Sequence, residues 1–266
     1  MPSISTGWAA EKIKQVQDNE NDFIIVISGY RGVGKSTLML QIADHLIEDN
    51  LFTIENLKKH NIYSRDELDE KLENFPEKSV FCVDEGINLL FKREFFNRQQ
   101  NKIIKRFNTY RDKYFCIFLL IPNFWDLDSS VRNSAMIKWW IHCYNRGNAY
   151  IYQPEENEWN PDPWNQKTNF MAVRKGVKRY QTPNYLTNIV WRKLTDKQMA
   201  NYKKVKAFKR RLAYKDTAAE MSKKQIIKQL LLKNERANPA EIARVIGTHK
   251  VYVYDIIKEM EEKVSN

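Results

Sequence analysis

Phe23-Ile24-Ile25-Val26-Ile27-Ser28-Gly29-Tyr30-Arg31-Gly32-Val33-Gly34-Lys35-Ser36 is the stretch that decides the fold. Its first five residues are an unbroken apolar run, of the length of a buried strand and closed by glycine. Its last eight spell G-x-x-x-x-G-K-[ST], and a helical pattern, Thr37–Leu46, follows. Strand, glycine-rich turn and helix in that order gather backbone N–H groups and a helix N-terminus around a polyphosphate, with no side chain in the way. Gly29, Gly32 and Gly34 clear the approach. Tyr30, Arg31, Val33 and Thr37 complete the cradle, Lys35 reaches the β- and γ-phosphates, and the Ser36 hydroxyl holds Mg²⁺. The pattern predicts a bound nucleoside triphosphate.

A second element extends the first. Ser79-Val80-Phe81-Cys82-Val83 reads as a buried strand and ends in Asp84-Glu85. A carboxylate at a strand end beside a phosphate loop suits the Mg²⁺ shell, here Asp84. Its neighbour Glu85 is placed to take a proton from an attacking water. The Asn-Lys-x-Asp motif with which common GTPases read their base is absent, which favours ATP. Asn123, at the end of the apolar strand Tyr114–Ile121, is a candidate contact to the γ-phosphate or the lytic water. Arg132, then Arg146, then Arg111 are candidates to reach a neighbouring subunit's site as an arginine finger. An ordinary turn role for the Asn, and ion pairing for each Arg, are the plainer readings.

Around these motifs, strands alternate with helices, which predicts a mostly parallel α/β sheet flanked by helices. Residues 1–20 are polar, with a short amphipathic helix near Ala9–Val16. The segment 51–78 is charged and helical in period, with Ser64 as a cap, and a basic-aromatic helix is predicted over Glu94–Tyr110. Ile137–Tyr144 and Ala149–Tyr152 flank Asn145-Arg146-Gly147-Asn148, the signature of an antiparallel hairpin that ends the sheet. The expected divisions are an N-terminal segment 1–20, a P-loop ATPase domain 21–155, a basic linker and helix 156–221, and a small all-α domain 222–266.

The last of these has a helix-turn-helix pattern. Ser222 caps a helix bearing Ile226, Ile227, Leu230 and Leu231. Asn238-Pro239-Ala240-Glu241 reads as a cap, a proline at the first helical position and a capping Glu. Gly247 permits the turn, and Thr248 begins a last helix with Val251, Val253, Ile257 and Met260. In that layout Thr248, His249, Lys250 and Tyr252 face a major groove. A three-helix protein-binding unit is the alternative.

Charge supports a polyanionic partner. The net charge is +11, yet residues 1–166 balance to −4 and residues 167–266 to +15. Arg174, Lys175, Lys178 and Arg179, then Lys203, Lys204, Lys206, Lys209, Arg210 and Arg211, supply much of that excess. Lys209, Arg210 and Arg211 are the predicted phosphate contacts to double-stranded DNA, with Tyr202, Val205, Phe208 and Leu212 on another face of their helix. No run of 18 uncharged apolar residues and no basic-then-apolar leader is present, so a cytoplasmic protein without a membrane contact is expected. Cys82, Cys116 and Cys143 fall in strand-like runs and are expected as core thiols, and the four His have no zinc spacing.

Gly29–Ser36, Val83-Asp84-Glu85, Arg111-Asp112-Lys113 leading through Phe115–Ile121 to Pro122-Asn123, Leu127-Asp128 to Val131-Arg132, and the hairpin together resemble the additional-strand, catalytic-Glu division of P-loop ATPases. Within it they resemble the FtsK–HerA and zonula-occludens-toxin-like ATPases of phages, viruses and mobile elements, over about residues 20–155. The resemblance implies a ring-forming, ATP-driven motor that moves DNA, in genome packaging or conjugal transfer, with a capsid portal or transfer-complex protein as partner. An ATP-gated DNA-binding regulator and an adaptor or loader ATPase are the rival readings.

Overall fold

β1 (Phe23–Gly29) forms where the apolar run predicts it and is buried along its whole length. The computed structural model describes residues 3–84, 90, 98–133, 136–154, 164, 185–233 and 238–264. They fall into two compact units, Met1–Lys209 and Arg210–Asn266.

In the first unit α1 (Thr6–Asp18) precedes β1, and α2 (Lys35–Leu46), α3 (Ile54–His60), β2 (Asn61–Ile62), α4 (Arg65–Asn74) and β3 (Val80–Val83) follow it. Then come α5 (Arg98–Thr109), β4 (Cys116–Leu120), α6 (Ser129–Asn133), β5 (Ile137–Asn145), β6 (Asn148–Tyr152) and β7 (Tyr185–Val190). The start of α7 (Asp196–Lys233) completes it. The sheet has the order β2-β3-β4-β1-β5-β6-β7. β2 through β5 pair in parallel, and β6 and β7 add antiparallel strands at the edge.

Side chains of β1 alternate between two cores, as the two-residue strand period demands. Phe23, Ile25 and Ile27 join Ala9 and Ile13 of α1, Leu38 and Ile42 of α2, and Tyr202 and Val205 of α7. Ile24 and Val26 join Leu68 and Leu72 of α4 and Ile103 and Phe107 of α5. Each buried Ile or Leu contributes roughly 1.5–3 kcal/mol, so neither layer is dispensable.

The N-terminal segment is part of this body. Ser5 caps α1 by accepting from Trp8 N at 3.2 Å, and Ile4 exchanges backbone bonds with Asn188 and Val190 of β7. The helix is longer than the predicted Ala9–Val16, because Ala9, Ala10 and Ile13 pack into the core. β7 and its buried Trp191 lie in a stretch read from sequence as linker. The charged segment 51–78 is two helices separated by the two-residue β2. Arg174, Lys175, Lys178, Arg179 and residues 94–97 of the predicted 94–110 helix lie outside the described residues, as does Glu85.

The three cysteines are buried and free. Among the described residues no group of three or more His, Cys, Asp or Glu could hold a metal ion, and no helix is long and apolar enough to cross a membrane.

In the second unit, α8 (Pro239–Ile246) and α9 (Lys250–Val264) pack with the end of α7. Ile227, Ile242, Ala243, Val253 and Ile256 form its core. Asn238 caps α8 by accepting from Ala240 N at 2.9 Å, with Pro239 at the first helical position. Gly247 takes the left-handed conformation that ends α8 (φ 65°), and Thr248 N donates to the Ala243 carbonyl at 2.8 Å.

Candidate active site

The phosphate loop has the backbone of an anion cradle. Gly29, Gly32 and Gly34 have φ of +140°, +82° and +96°, a region that side chains disfavour. Sterics single out two of them. A Cβ on Gly29 would stand 2.4 Å from the Cys143 carbonyl of β5, and one on Gly34 would stand 3.2 Å from Trp191 Nε1. The loop opens onto the N-terminus of α2, whose unpaired N–H groups carry partial positive charge.

Lys35 folds back over the loop and donates to the carbonyls of Gly29 at 2.6 Å and Tyr30 at 2.8 Å. Burial pushes its ammonium below the ordinary value. The Asp84 carboxylate works against that push, and the Lys206 and Arg31 cations add to it. These couplings place Lys35, Asp84 and Lys206 in one electrostatic neighbourhood. Tyr30, by contrast, points out from the loop and is 82% exposed.

Asp84 follows β3 directly and is 4% exposed. Its Oδ2 accepts from Tyr63 Oη at 3.0 Å, from Lys206 Nζ at 2.5 Å and from the Tyr202 hydroxyl. Lys206 also donates to Tyr202 Oη at 3.2 Å. The Ser36 side chain lies near enough to act on the Tyr202 phenol, drawing its pKa down against the push of burial. One phenol is thus bonded to the carboxylate after β3 and stands near the last residue of the phosphate loop. Burial, with Asp84 adding to it, holds both phenols well above the usual tyrosine range, so they stay protonated donors.

This arrangement fits a magnesium ion. Among the described residues Asp84 Oδ1 accepts no hydrogen bond, and the Ser36 side chain is close enough to act on the Tyr202 phenol that donates to Asp84 Oδ2. One carboxylate, one hydroxyl and phosphate oxygens are the hard-oxygen set that Mg²⁺ takes in phosphate sites.

Asn123 lies next to the cradle, because Gly29 N donates to the preceding Pro122 carbonyl at 3.1 Å. Its Oδ1 caps the 3₁₀ turn Phe124–Asp126, accepting from Trp125 N at 3.3 Å. The turn role and the position beside the loop therefore coexist. The three arginines separate. Arg132 stacks on its own Trp125, 5.2 Å from the ring centre, and donates to the Leu127 carbonyl at 3.5 Å. Arg146, in the β5–β6 turn, lines a cleft together with Gly34 and Thr37. Arg111 lies at the opposite end of the strands, where it acts on Asp22 just before β1, so it is not brought to this site.

Two predicted DNA contacts are engaged inside the protein. Lys209 pairs with Glu67, which also holds Lys71 at 2.8 Å, because α7 runs over α4 at that point. Tyr252 packs against the core of the second unit rather than facing outward. Arg210, Arg211, His249 and Lys250 are exposed, Thr248 is half-buried, and Lys250 lies over the Tyr254 ring at 5.7 Å.

Sequence reasoning missed Tyr63, Tyr202 and Lys206 as parts of the site. A signal existed: Tyr202, Lys206 and Lys209 are spaced i, i+4, i+7 and so share one helical stripe. The carboxylates that the stripe meets stand more than a hundred positions earlier, which no local pattern discloses.

A family model described as an AAA domain matches residues 21–118. That is under half of the chain, and it spans the cradle, β3 and the start of β4. The match supports a P-loop ATPase-type domain there. The crystal structure of the N-terminal domain of zonular occludens toxin from Neisseria meningitidis aligns over 66% of this chain and 97% of that one. Its identity is 15% and its TM-score 0.37, values too low to say more. A search of the curated proteins found no match.

Proposed function

We propose that this chain is a magnesium-dependent ATPase that drives double-stranded DNA through or along a homo-oligomeric ring. One observation carries the nucleotide half of this reading. The Tyr202 hydroxyl donates to Asp84 and lies within electrostatic reach of the Ser36 side chain, which supports the two expected magnesium ligands sharing one ion at the mouth of a glycine-rich loop.

In this reading the N–H groups of Gly29–Thr37 cradle the phosphates and Lys35 neutralises the β- and γ-oxygens. Ser36 and Asp84 would hold Mg²⁺, which would supply positive charge to the phosphates as the terminal phosphoryl leaves. Glu85, next in sequence after Asp84, takes the proton from the attacking water. The water oxygen then bonds the γ-phosphorus while the bond to the ADP oxygen breaks. Asn123, beside Gly29, orients that water. Arg132 of a neighbouring subunit supplies charge to the transition state once it leaves Trp125; Arg146, which sits beside Gly34 in its own protomer, is the weaker candidate for a role in trans.

The DNA half rests on charge and exposure. The +15 balance of residues 167–266 and the exposed Arg210, Arg211, His249 and Lys250, with Thr248 beside them, support a helix-turn-helix surface that meets a duplex. A cytoplasmic setting, and docking on a capsid portal or transfer-complex protein, belong to this proposal. The test is the ATPase rate with and without duplex DNA at two salt concentrations, with oligomer mass measured alongside. A motor shows DNA-stimulated turnover that weakens with salt. Equal rates with and without DNA would remove translocation from the account.

A second reading has one observation in its favour. α7 is a continuous helix that carries Tyr202 and Lys206 of the nucleotide site and Ile227 of the second unit's core. Nucleotide occupancy felt by that helix suits an ATP-gated DNA-binding regulator, which would turn over slowly and change its DNA affinity with the nucleotide bound.

A further inference from the structure

A cleft of about 320 Å³ opens beside the phosphate loop, on the side away from Asp84. Its walls include Gly34, Thr37, Arg146, Trp191, Leu194 and Met199. Apart from Gly34 and Thr37, all of these lie beyond residues 21–118, in the β5–β6 turn and the connection from β7 into α7. The span that the AAA domain model matches therefore does not account for this cleft.

Three features give it a polarity. First, the sheet order puts β3, with Asp84 after it, on one side of β1, and β5, β6 and β7 on the other. Second, α7 passes over both ends. Met199 lines the cleft, whereas Tyr202 and Lys206 touch Asp84, and the seven positions from 199 to 206 correspond to about 10 Å along a helix. Third, the walls differ in chemistry. Trp191 and Leu194 are each 8% exposed and Met199 is half-buried, so the floor is apolar and aromatic. Arg146 is exposed at the rim.

We propose that this cleft seats the purine base of the nucleotide whose phosphates the Gly29–Ser36 loop holds, an inference that rests on the reading of that loop given above. A triphosphate whose terminal phosphoryl lies at Asp84 crosses the N-terminus of α2 and leads its sugar past Thr37 into the cleft. There the flat base lies on the Trp191, Leu194 and Met199 floor, and the planar Arg146 guanidinium covers it from the rim. An apolar slot with a few rim cations is the usual build of a small-ligand pocket, and its volume is at the lower end of that range. Trp191 then has two roles. Its ring edge would crowd a Cβ at Gly34, and its body forms part of the slot floor.

The test compares ligands with and without a base. Calorimetric titrations of ATP, GTP and inorganic tripolyphosphate, each with Mg²⁺, are made into the full-length protein and into Arg146→Ala and Met199→Trp. Arg146 is exposed, so its replacement leaves the fold intact, and Met199→Trp plugs the slot. The unmodified protein binds a purine triphosphate about tenfold or more tighter than tripolyphosphate, the scale of one stacked base. Both variants bring that ratio towards one while tripolyphosphate still binds. The ATP and GTP arms tell which purine the slot accepts. An unchanged ratio in both variants, or a ratio near one in the unmodified protein, would overturn the base slot and leave the phosphate site standing. Failure of tripolyphosphate and ATP alike to bind would instead overturn the phosphate-loop reading.

Discussion

Tyr202→Phe removes one oxygen atom and probes the join between the two halves of the site. The ring stays, with its packing against the core shared by α1, α2 and α7. The hydrogen bond to Asp84 and the one accepted from Lys206 go. Asp84 Oδ2 keeps Tyr63 at 3.0 Å and Lys206 at 2.5 Å, so its charge is not stranded. A hydrogen bond to a charged group contributes about 1.5–3 kcal/mol. For a body of this size that corresponds to a fall in Tm of roughly 3–10 °C, read by calorimetry without nucleotide. The larger effect is on magnesium. Groups that orient a ligand without touching the ion typically change affinity or activity by about 10- to 100-fold. We therefore expect the Mg²⁺ concentration that half-supports ATP binding, followed with a fluorescent nucleotide, to rise by about tenfold. Binding of ATP without Mg²⁺ should change little, because Lys35 and the loop N–H groups are untouched. A variant with unaltered Tm and unaltered Mg²⁺ dependence would refute the idea that Tyr202 orients Asp84 for the ion.

Three further outcomes are expected. Gly29→Ala forces a Cβ to within 2.4 Å of the Cys143 carbonyl at φ +140°, and should cost roughly 2–5 kcal/mol of stability in denaturant titrations; a cost under about 0.5 kcal/mol would mean that the loop shifts freely. His60, whose Nδ1 donates to the Val80 carbonyl at 2.8 Å, and His142 are both held below their ordinary 6.5, chiefly by burial. Below about pH 6.5 the unfolded chain therefore binds protons that the folded one resists, so stability falls on acidification and Tm should be lower at pH 5.5 than at pH 7.5; a rise would contradict the burial argument. Glu85→Gln should retain ATP, measured by filter binding, and lose hydrolysis by about 100-fold or more; normal turnover would point to another base.

How much was legible in the sequence varied with the range of the interaction. The cradle was, because Gly29, Gly32 and Gly34 encode backbone angles locally and the run before them encodes a buried strand. The acidic end of β3 was legible for the same reason. Lys206 and Lys209 were not. Charge counting makes them part of a basic surface, and only the fold reveals that Asp84 and Glu67 face them. β7 escaped because Tyr185–Val190 sits at the sheet edge, where only Thr187 and Ile189 are buried and the apolar run is broken by Thr187 and Asn188. β2 escaped because two residues are too few to display a period.

The account stands on a triphosphate held over Lys35, and titration calorimetry of ATP with Mg²⁺ into the unmodified chain and into Lys35→Ala tests that most directly. Saturable heat from the former, lost or weakened by about 100-fold in the latter, is the predicted result, since the variant removes the half-buried cation that the proposed function sets against phosphate. No heat from the unmodified chain, or equal heats from the two, would contradict it.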